Sequence, residues 1–263
     1  MSLRVTLPPT FAEVVAGADI PPTGIFINSG STTNAEIVAS AGFDWVLIDA
    51  EHSPYGLPTV LDLLRTVAAY PVTPVVRIPV NDTVLIKQYL DLGAQNLMVP
   101  MVNTAADAQR AVAAMHYPPR GVRGIGSALA RSSRFNAVDG YLGKASETVS
   151  FIVQAESAAA VDNSADIAGT DGVDCVFVGP SDLAASMGYL GEQTHPKVLA
   201  AVESVFASVQ AAGKPVGVNA FNLDQARAYL DMGASFVCIG ADVQQLSQAV
   251  RGLITSFRSN NDS

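Results

Sequence analysis

The chain has 263 residues, of which 49% are hydrophobic and only 15% charged, and it carries a formal charge of −9; its pI is near 4.7 and its mean hydropathy +0.30. So much apolar surface must be buried, which excludes disorder as the main state, and a single α/β barrel of roughly 250 residues fits the length without remainder. The acidic balance argues against nucleic acid or an anionic membrane as main partner. No uninterrupted apolar run approaches the ~18 residues of a membrane span. The opening MSLRVTLPPT has no apolar stretch of signal-peptide length, so a soluble cytoplasmic protein is expected. Cys175 and Cys238 lie inside apolar runs and read as reduced core residues.

Along the chain, β-rich runs fall at 24–28, 45–50, 73–78, 96–100, 150–155, 174–179, 214–219 and 235–240. Most are continuous rather than alternating, as parallel strands covered on both faces should be. Helical patterns lie between them: 57–69, 84–92, 105–115, 196–212 and 223–232, with Gly93, Gly213 and Gly233 placed as stops. Eight such units predict one (β/α)8 barrel over 1–263. A doubly wound open sheet is the plainer alternative, but Asn28-Ser29-Gly30-Ser31 after the first run is not its glycine fingerprint. The connection between the fourth and fifth runs is unusually long and holds Arg120, Arg123, Arg131 and Arg134. This Arg-rich stretch, 120–134, reads either as a solvated loop making intersubunit salt bridges or as a loop over a barrel mouth that attracts anionic substrates.

Chemistry in such a barrel belongs at the C-terminal strand ends. The second run delivers Asp49, Glu51 and His52, and the third Arg77. The fifth delivers Gln154 and Glu156, the sixth Ser181 and Asp182, and the seventh Asn219. Glu156 and Asp182, with no Cys or His cluster beside them, suit a hard divalent cation such as Mg²⁺ or Mn²⁺. The competing reading makes Asp182 a helix cap and Glu156 a solvated helix-start residue. His52 follows two acids placed to orient its ring and suits a base near neutral pH. His116 and His195 read as structural. Arg77 closes an apolar strand and needs a partner, either an internal acid or a substrate oxyanion. None of the four lysines, Lys87, Lys144, Lys197 and Lys214, stands at a catalytic strand end, which argues against imine chemistry.

Several segments together resemble the HpcH/HpaI family of metal-dependent (class II) pyruvate aldolases over about Gly24 to Phe257. They are AGFDWVLIDAEH ending at His52, PVVR ending at Arg77, IKQYLD ending at Asp91, YPPRGVRG ending at Gly124, GSALAR ending at Arg131, VQAE ending at Glu156 and GPSDL around Asp182. The resemblance implies a phosphoenolpyruvate/pyruvate-type TIM barrel. It implies Glu156 and Asp182 as ligands of Mg²⁺, Mn²⁺ or Co²⁺, and His52 paired with Asp91 as the acid/base unit. Arg77 would stabilise the enolate oxygen, and the backbone amides of Ser181 and Asp182 would hold the 2-oxo acid carboxylate; Gln154 is counted among the substrate-binding residues. The implied reaction is aldol addition of pyruvate or a related acid such as hydroxypyruvate to an aldehyde, and cleavage of 4-hydroxy-2-oxo acids in reverse. The implied assembly is a homo-hexamer, a trimer of dimers exchanging helices of about 242–257. That segment carries Val243, Leu246, Val250, Leu253 and Phe257 near one face, a pattern that a helix covering its own barrel would share. Ala50, Ala155 and the stretch 218–221 depart from the family pattern. The alternatives are a citrate-lyase or malyl-CoA-lyase relative, which needs room and cations for a CoA tail, and a non-catalytic 2-oxo-acid-binding barrel.

Overall fold

All eight apolar runs become parallel strands: β1 (Thr23–Ile27), β2 (Trp45–Asp49), β3 (Thr73–Arg77), β4 (Asn96–Val99), β5 (Ser150–Ala155), β6 (Cys175–Val178), β7 (Val216–Asn219) and β8 (Phe236–Ala241). The computed structural model, which describes residues 5–259, joins them in sequence order into a closed barrel. Closure is direct, with Thr23 opposite Val237 and Gly24 opposite Cys238, so the open-sheet alternative is excluded. β7 starts at Val216, two residues later than the sequence reading places it, although the Pro215 carbonyl still accepts the Val176 N–H at 3.0 Å.

The helices in chain order are α1 (Phe11–Ala16), α2 (Thr32–Ala39), α3 (Leu57–Val67), α4 (Thr83–Asp91), α5 (Ala105–Met115), α6 (Tyr141–Lys144), α7 (Ala158–Asp162), α8 (Ser164–Ala168), α9 (Pro180–Ser186), α10 (Pro196–Ala211), α11 (Leu223–Asp231) and α12 (Asp242–Ser259). Each helix return carries the chain from the C-terminal end of one strand back to the start of the next. Their inward stripes and the outer strand faces share one large apolar layer, including Leu63, Ile86, Ala111, Val202 and Phe206.

Inside the strands lies a second core, and its N-terminal end is stopped by aromatic rings. Phe11 packs against Trp45 and Phe236 at centroid distances of 5.2 and 5.0 Å, and Phe177 stacks on Phe236 at 6.0 Å. Each ring contributes ~1.5–3 kcal/mol through burial. Room for them comes from the neighbouring strands, since a Cβ on Gly24 or Gly217 would sit 2.2 Å from the Trp45 or Phe236 ring. The buried Asn96 amide oxygen accepts the Phe11 N–H at 2.7 Å and so holds α1 over this end. Chemistry is left to the opposite mouth.

α12 behaves differently from the other helices. Asp242 is its one buried residue, whereas Val243, Leu246, Val250, Leu253, Ile254 and Phe257 are all exposed. The helix therefore does not cover its own barrel. Among the described residues no helix is long and apolar enough to cross a membrane.

Candidate active site

Parallel register sets Asp49 beside Arg77 at the ends of β2 and β3. The guanidinium donates Nε to Asp49 Oδ1 at 2.9 Å and Nη2 to Oδ2 at 2.8 Å. Its Nη1 lies 3.0 Å from Glu51 Oε2, an ion pair without the alignment of a hydrogen bond. Arg77 thus has the internal acids that the sequence left as one of two options. Burial opposes both charges, yet the fork-on-fork contact outweighs it, holding the Asp49 carboxyl below and the Arg77 guanidinium above their ordinary ranges. Asp49 also accepts the N–H groups of Glu51 and His52 at 3.1 and 3.4 Å, which shapes the turn presenting the histidine.

His52 stands out from that turn with 65% of its side chain exposed, its Nε2 3.7 Å from Glu51 Oε2. Asp91 is not near it within the chain. α4 runs away from the catalytic mouth and Asp91 closes it, at the strand-start side of the barrel. There Asp91 Oδ1 accepts from Arg123 Nη2 at 2.7 Å. Arg123 is itself 2% exposed, with its guanidinium 4.6 Å from the Tyr117 ring centre. One member of the Arg-rich loop is therefore neither solvated nor free to meet a substrate. Arg131 bonds the Leu92 carbonyl at 3.2 Å, and its pKa falls to about 10 through burial and the nearby Arg134 and Arg65 charges.

Across the mouth, Glu156 is 3% exposed, which removes the solvated reading of that residue. Its Oε1 accepts the Met101 N–H at 2.9 Å and its Oε2 the amide of Gln154. Met101 reaches it from a left-handed backbone (φ 52°), an uncommon conformation for a side chain of this kind. Gly179 leaves the space, because a Cβ there would stand 2.8 Å from Glu156 Oε2. Burial pushes the Glu156 carboxyl up to about 7, with the Met101 amide opposing and Glu51 and Asp182 adding to the rise. Glu51 is raised in the same way, chiefly by burial.

Asp182 is exposed in the first turn of α9. It does not cap that helix: the N-cap is Gly179 and no side chain bonds the first turn, so the N–H groups of Ser181 and Asp182 have no partner among the described residues. The Ser181 hydroxyl donates to Gln193 Oε1 at 3.2 Å. No group of three His, Cys, Asp or Glu residues among those described could by itself hold a metal. Two carboxylates could still do so where water and substrate complete the shell, and the donors fit a hard cation. Three acids influence one another here, and the buried Gln154 Oε1 has no hydrogen-bond partner.

The remaining histidines are structural. His116 is buried against Ser146 and is pushed down to about 4, chiefly by burial, then by Arg120 and Arg123. His195 caps α10 through the Lys197 N–H and stacks on Tyr189 at 3.9 Å. Sequence reasoning missed Met101 and Gly179, whose contributions are a backbone N–H and an absent Cβ. It also stopped short of the Asp49–Arg77 clamp, although equal positions at the ends of two neighbouring apolar strands were a usable signal.

A barrel with acids and an arginine gathered at one mouth defines a class, and comparison gives it a name: residues 22–249 match the HpcH/HpaI aldolase/citrate lyase family, and the chain belongs to it. It is an aldolase, a carbon–carbon lyase. It is 46% identical to a hydroxypyruvate/pyruvate aldolase of Agrobacterium fabrum, over 92% of this chain and 91% of that protein. A 4-hydroxy-2-oxo-heptane-1,7-dioate aldolase of Salmonella dublin is also 46% identical, over 90% of each chain. A crystal structure of an HpcH/HpaI aldolase/citrate lyase family protein from Burkholderia cenocepacia is 40% identical and superposes with a TM-score of 0.90, over 94% of this chain and 98% of that one.

Proposed function

We propose that the chain catalyses reversible aldol addition of pyruvate or hydroxypyruvate to an aldehyde, with a divalent cation held by Glu156 and Asp182. The observation that carries this reading is the Glu156 carboxylate, 3% exposed and held by the Met101 N–H and the Gln154 amide, where burial, Glu51 and Asp182 all disfavour its charge. A site that disfavours its own negative charge favours a cation in place of the proton. When bound, the cation supplies Lewis-acid polarisation of the 2-oxo group.

The chain's own residues do the rest. The free N–H groups of Ser181 and Asp182 receive the carboxylate of the 2-oxo acid at the start of α9. Arg77, locked by Asp49, presents its remaining N–H groups to the oxygen that gains charge as the enolate forms, and costs little reorganisation because it is already in place. His52 moves the proton at the carbon next to the carbonyl, and in reverse takes it from the 4-hydroxyl. Its implied partner Asp91 lies at the far side of its own barrel, so in this reading Asp91 is supplied by a second copy. The exposed apolar face of α12 fits the same assembly, a homo-hexamer with exchanged C-terminal helices. We place the protein in the cytoplasm.

Metal depletion tests the proposal. Protein dialysed against EDTA is expected to lose cleavage of a 4-hydroxy-2-oxo acid, and Mg²⁺ or Mn²⁺ to restore it. Full activity with no metal found by elemental analysis would overturn the metal role.

A further inference from the structure

A continuous run of hydrogen bonds joins the base of α12 to the Arg77 guanidinium. Asp242, the first residue of α12, is 5% exposed. Its Oδ1 accepts the N–H of Asn28 and of Val243, each at 2.8 Å, and its Oδ2 accepts the Ser29 N–H at 3.3 Å and the Ser29 hydroxyl. Asn28 directly follows β1, and its Nδ2 donates to Asp49 Oδ2 at 2.6 Å and to Ser53 Oγ at 3.2 Å. Asp49 in turn grips Arg77 through two bonds. One asparagine thus spans two buried carboxylates, with its backbone on one and its side chain on the other.

Other side chains serve this position poorly. Alanine has no donor for Asp49, serine is too short to span the gap, and aspartate would set a second carboxylate against it. The bond also lands where it matters, because Asp49 Oδ2 receives both Asn28 and Arg77 Nη2. Removing Asn28 takes away one of the two donors on Oδ2, leaving that end of the Asp49 carboxylate fixed only by the arginine it is meant to aim, while Oδ1 keeps the Glu51 and His52 N–H groups. The outer face of α12 is exposed, so the Asp242 carboxylate is what pins the first turn of that helix to the end of β1.

We propose that Asn28 is a positioning residue for the aldol reaction and that Asp242, acting through it, makes the aim of Arg77 depend on how α12 is seated. Whatever holds or moves α12 is then felt at the guanidinium. The proposal rests on the reading of Arg77 as the group that stabilises the enolate oxygen.

The experiment compares Asn28→Ala, Asp242→Ala, the double variant and Arg77→Ala in retro-aldol cleavage at saturating Mn²⁺, with thermal melting and light scattering as controls. Asn28→Ala is expected to lower kcat by about 10- to 100-fold, the cost of misaiming a fixed group, while KM for the 2-oxo acid shifts by less than about 3-fold. Asp242→Ala is expected to lower kcat likewise, and Asp242→Asn, which keeps an acceptor for the Asn28 N–H, to regain most of it. In the double variant the losses should overlap, with kcat within about 3-fold of Asn28→Ala. Losses that multiply in full would show two independent effects and overturn the relay. Wild-type kcat in Asn28→Ala beside an inactive Arg77→Ala would overturn it and leave the reading of Arg77 intact. Wild-type activity in Arg77→Ala would overturn both. If Asn28→Ala does not fold, the isosteric Asn28→Asp is expected to show the same loss of kcat, and an unchanged kcat in it overturns the proposal.

Discussion

Glu156, the proposed metal ligand, illustrates the tension that a buried carboxylate builds into a fold. It is buried beside other acids, held by one backbone N–H and one amide, and its charge is disfavoured in the isolated chain. Glu156→Gln keeps the volume and removes the charge, so kcat/KM is expected to fall by about 100-fold or more, ~3 kcal/mol of transition-state stabilisation. Melting temperature should hold or rise, because function and stability make opposite demands on this side chain. Calorimetry decides the role: undiminished Mn²⁺ binding by Glu156→Gln would show that the carboxylate is not a ligand. At this scale the sequence was informative where a polar or charged residue stood at the end of an apolar strand, as at Arg77, Gln154 and Glu156. It was silent on Met101, whose contribution is a backbone N–H, and although glycine at 179 is plain in the sequence, nothing there shows that Glu156 needs the space beside it.

At the scale of elements, the strands were legible because each is a continuous apolar run, and the stops because Gly93, Gly213 and Gly233 all adopt positive φ (90, 72 and 102°) just past α4, α10 and α11. The long connection was not legible. Its arginines share a charge but not a role, and only packing separates them. Arg123 lies beneath the surface on Asp91 and Tyr117, and its buried Nε has no hydrogen-bond partner. Arg123→Met should therefore act on stability, costing about 2–3 kcal/mol because the Asp91 left behind is partly exposed. Thermal melting reads this as a drop of about 5–10 °C. Activity with a carboxylate-bearing aldehyde and with glyceraldehyde should fall equally. A selective loss with the charged aldehyde would return Arg123 to the substrate site.

For the whole molecule, two features of the single barrel bear on the proposed assembly. The sequence alone could not separate an exchanged helix from a self-covering one, since both need the same apolar stripe. The structure removes the second option by leaving Leu253 73% and Phe257 67% exposed. Asp91, pointed away from His52, also needs a partner copy if the pair implied by the family is to form. Light scattering at micromolar concentration is expected to give six times the 27.3 kDa chain mass. Leu253→Asp should break that assembly while far-UV circular dichroism stays that of a folded barrel. A monomeric wild-type protein would reject the exchange.

The ring cluster of Phe11, Trp45, Phe177 and Phe236 also bears on traffic. With Leu47, Val75, Met98 and Ile152 filling the interior above those rings, the barrel is a packed core and not a pore, so molecules that react at the strand-end mouth enter and leave by that mouth. The molecule seated deepest must arrive first and leave last. Where two reactants share one mouth, order of binding follows depth rather than affinity, and here that constraint comes from a barrel interior filled with side chains.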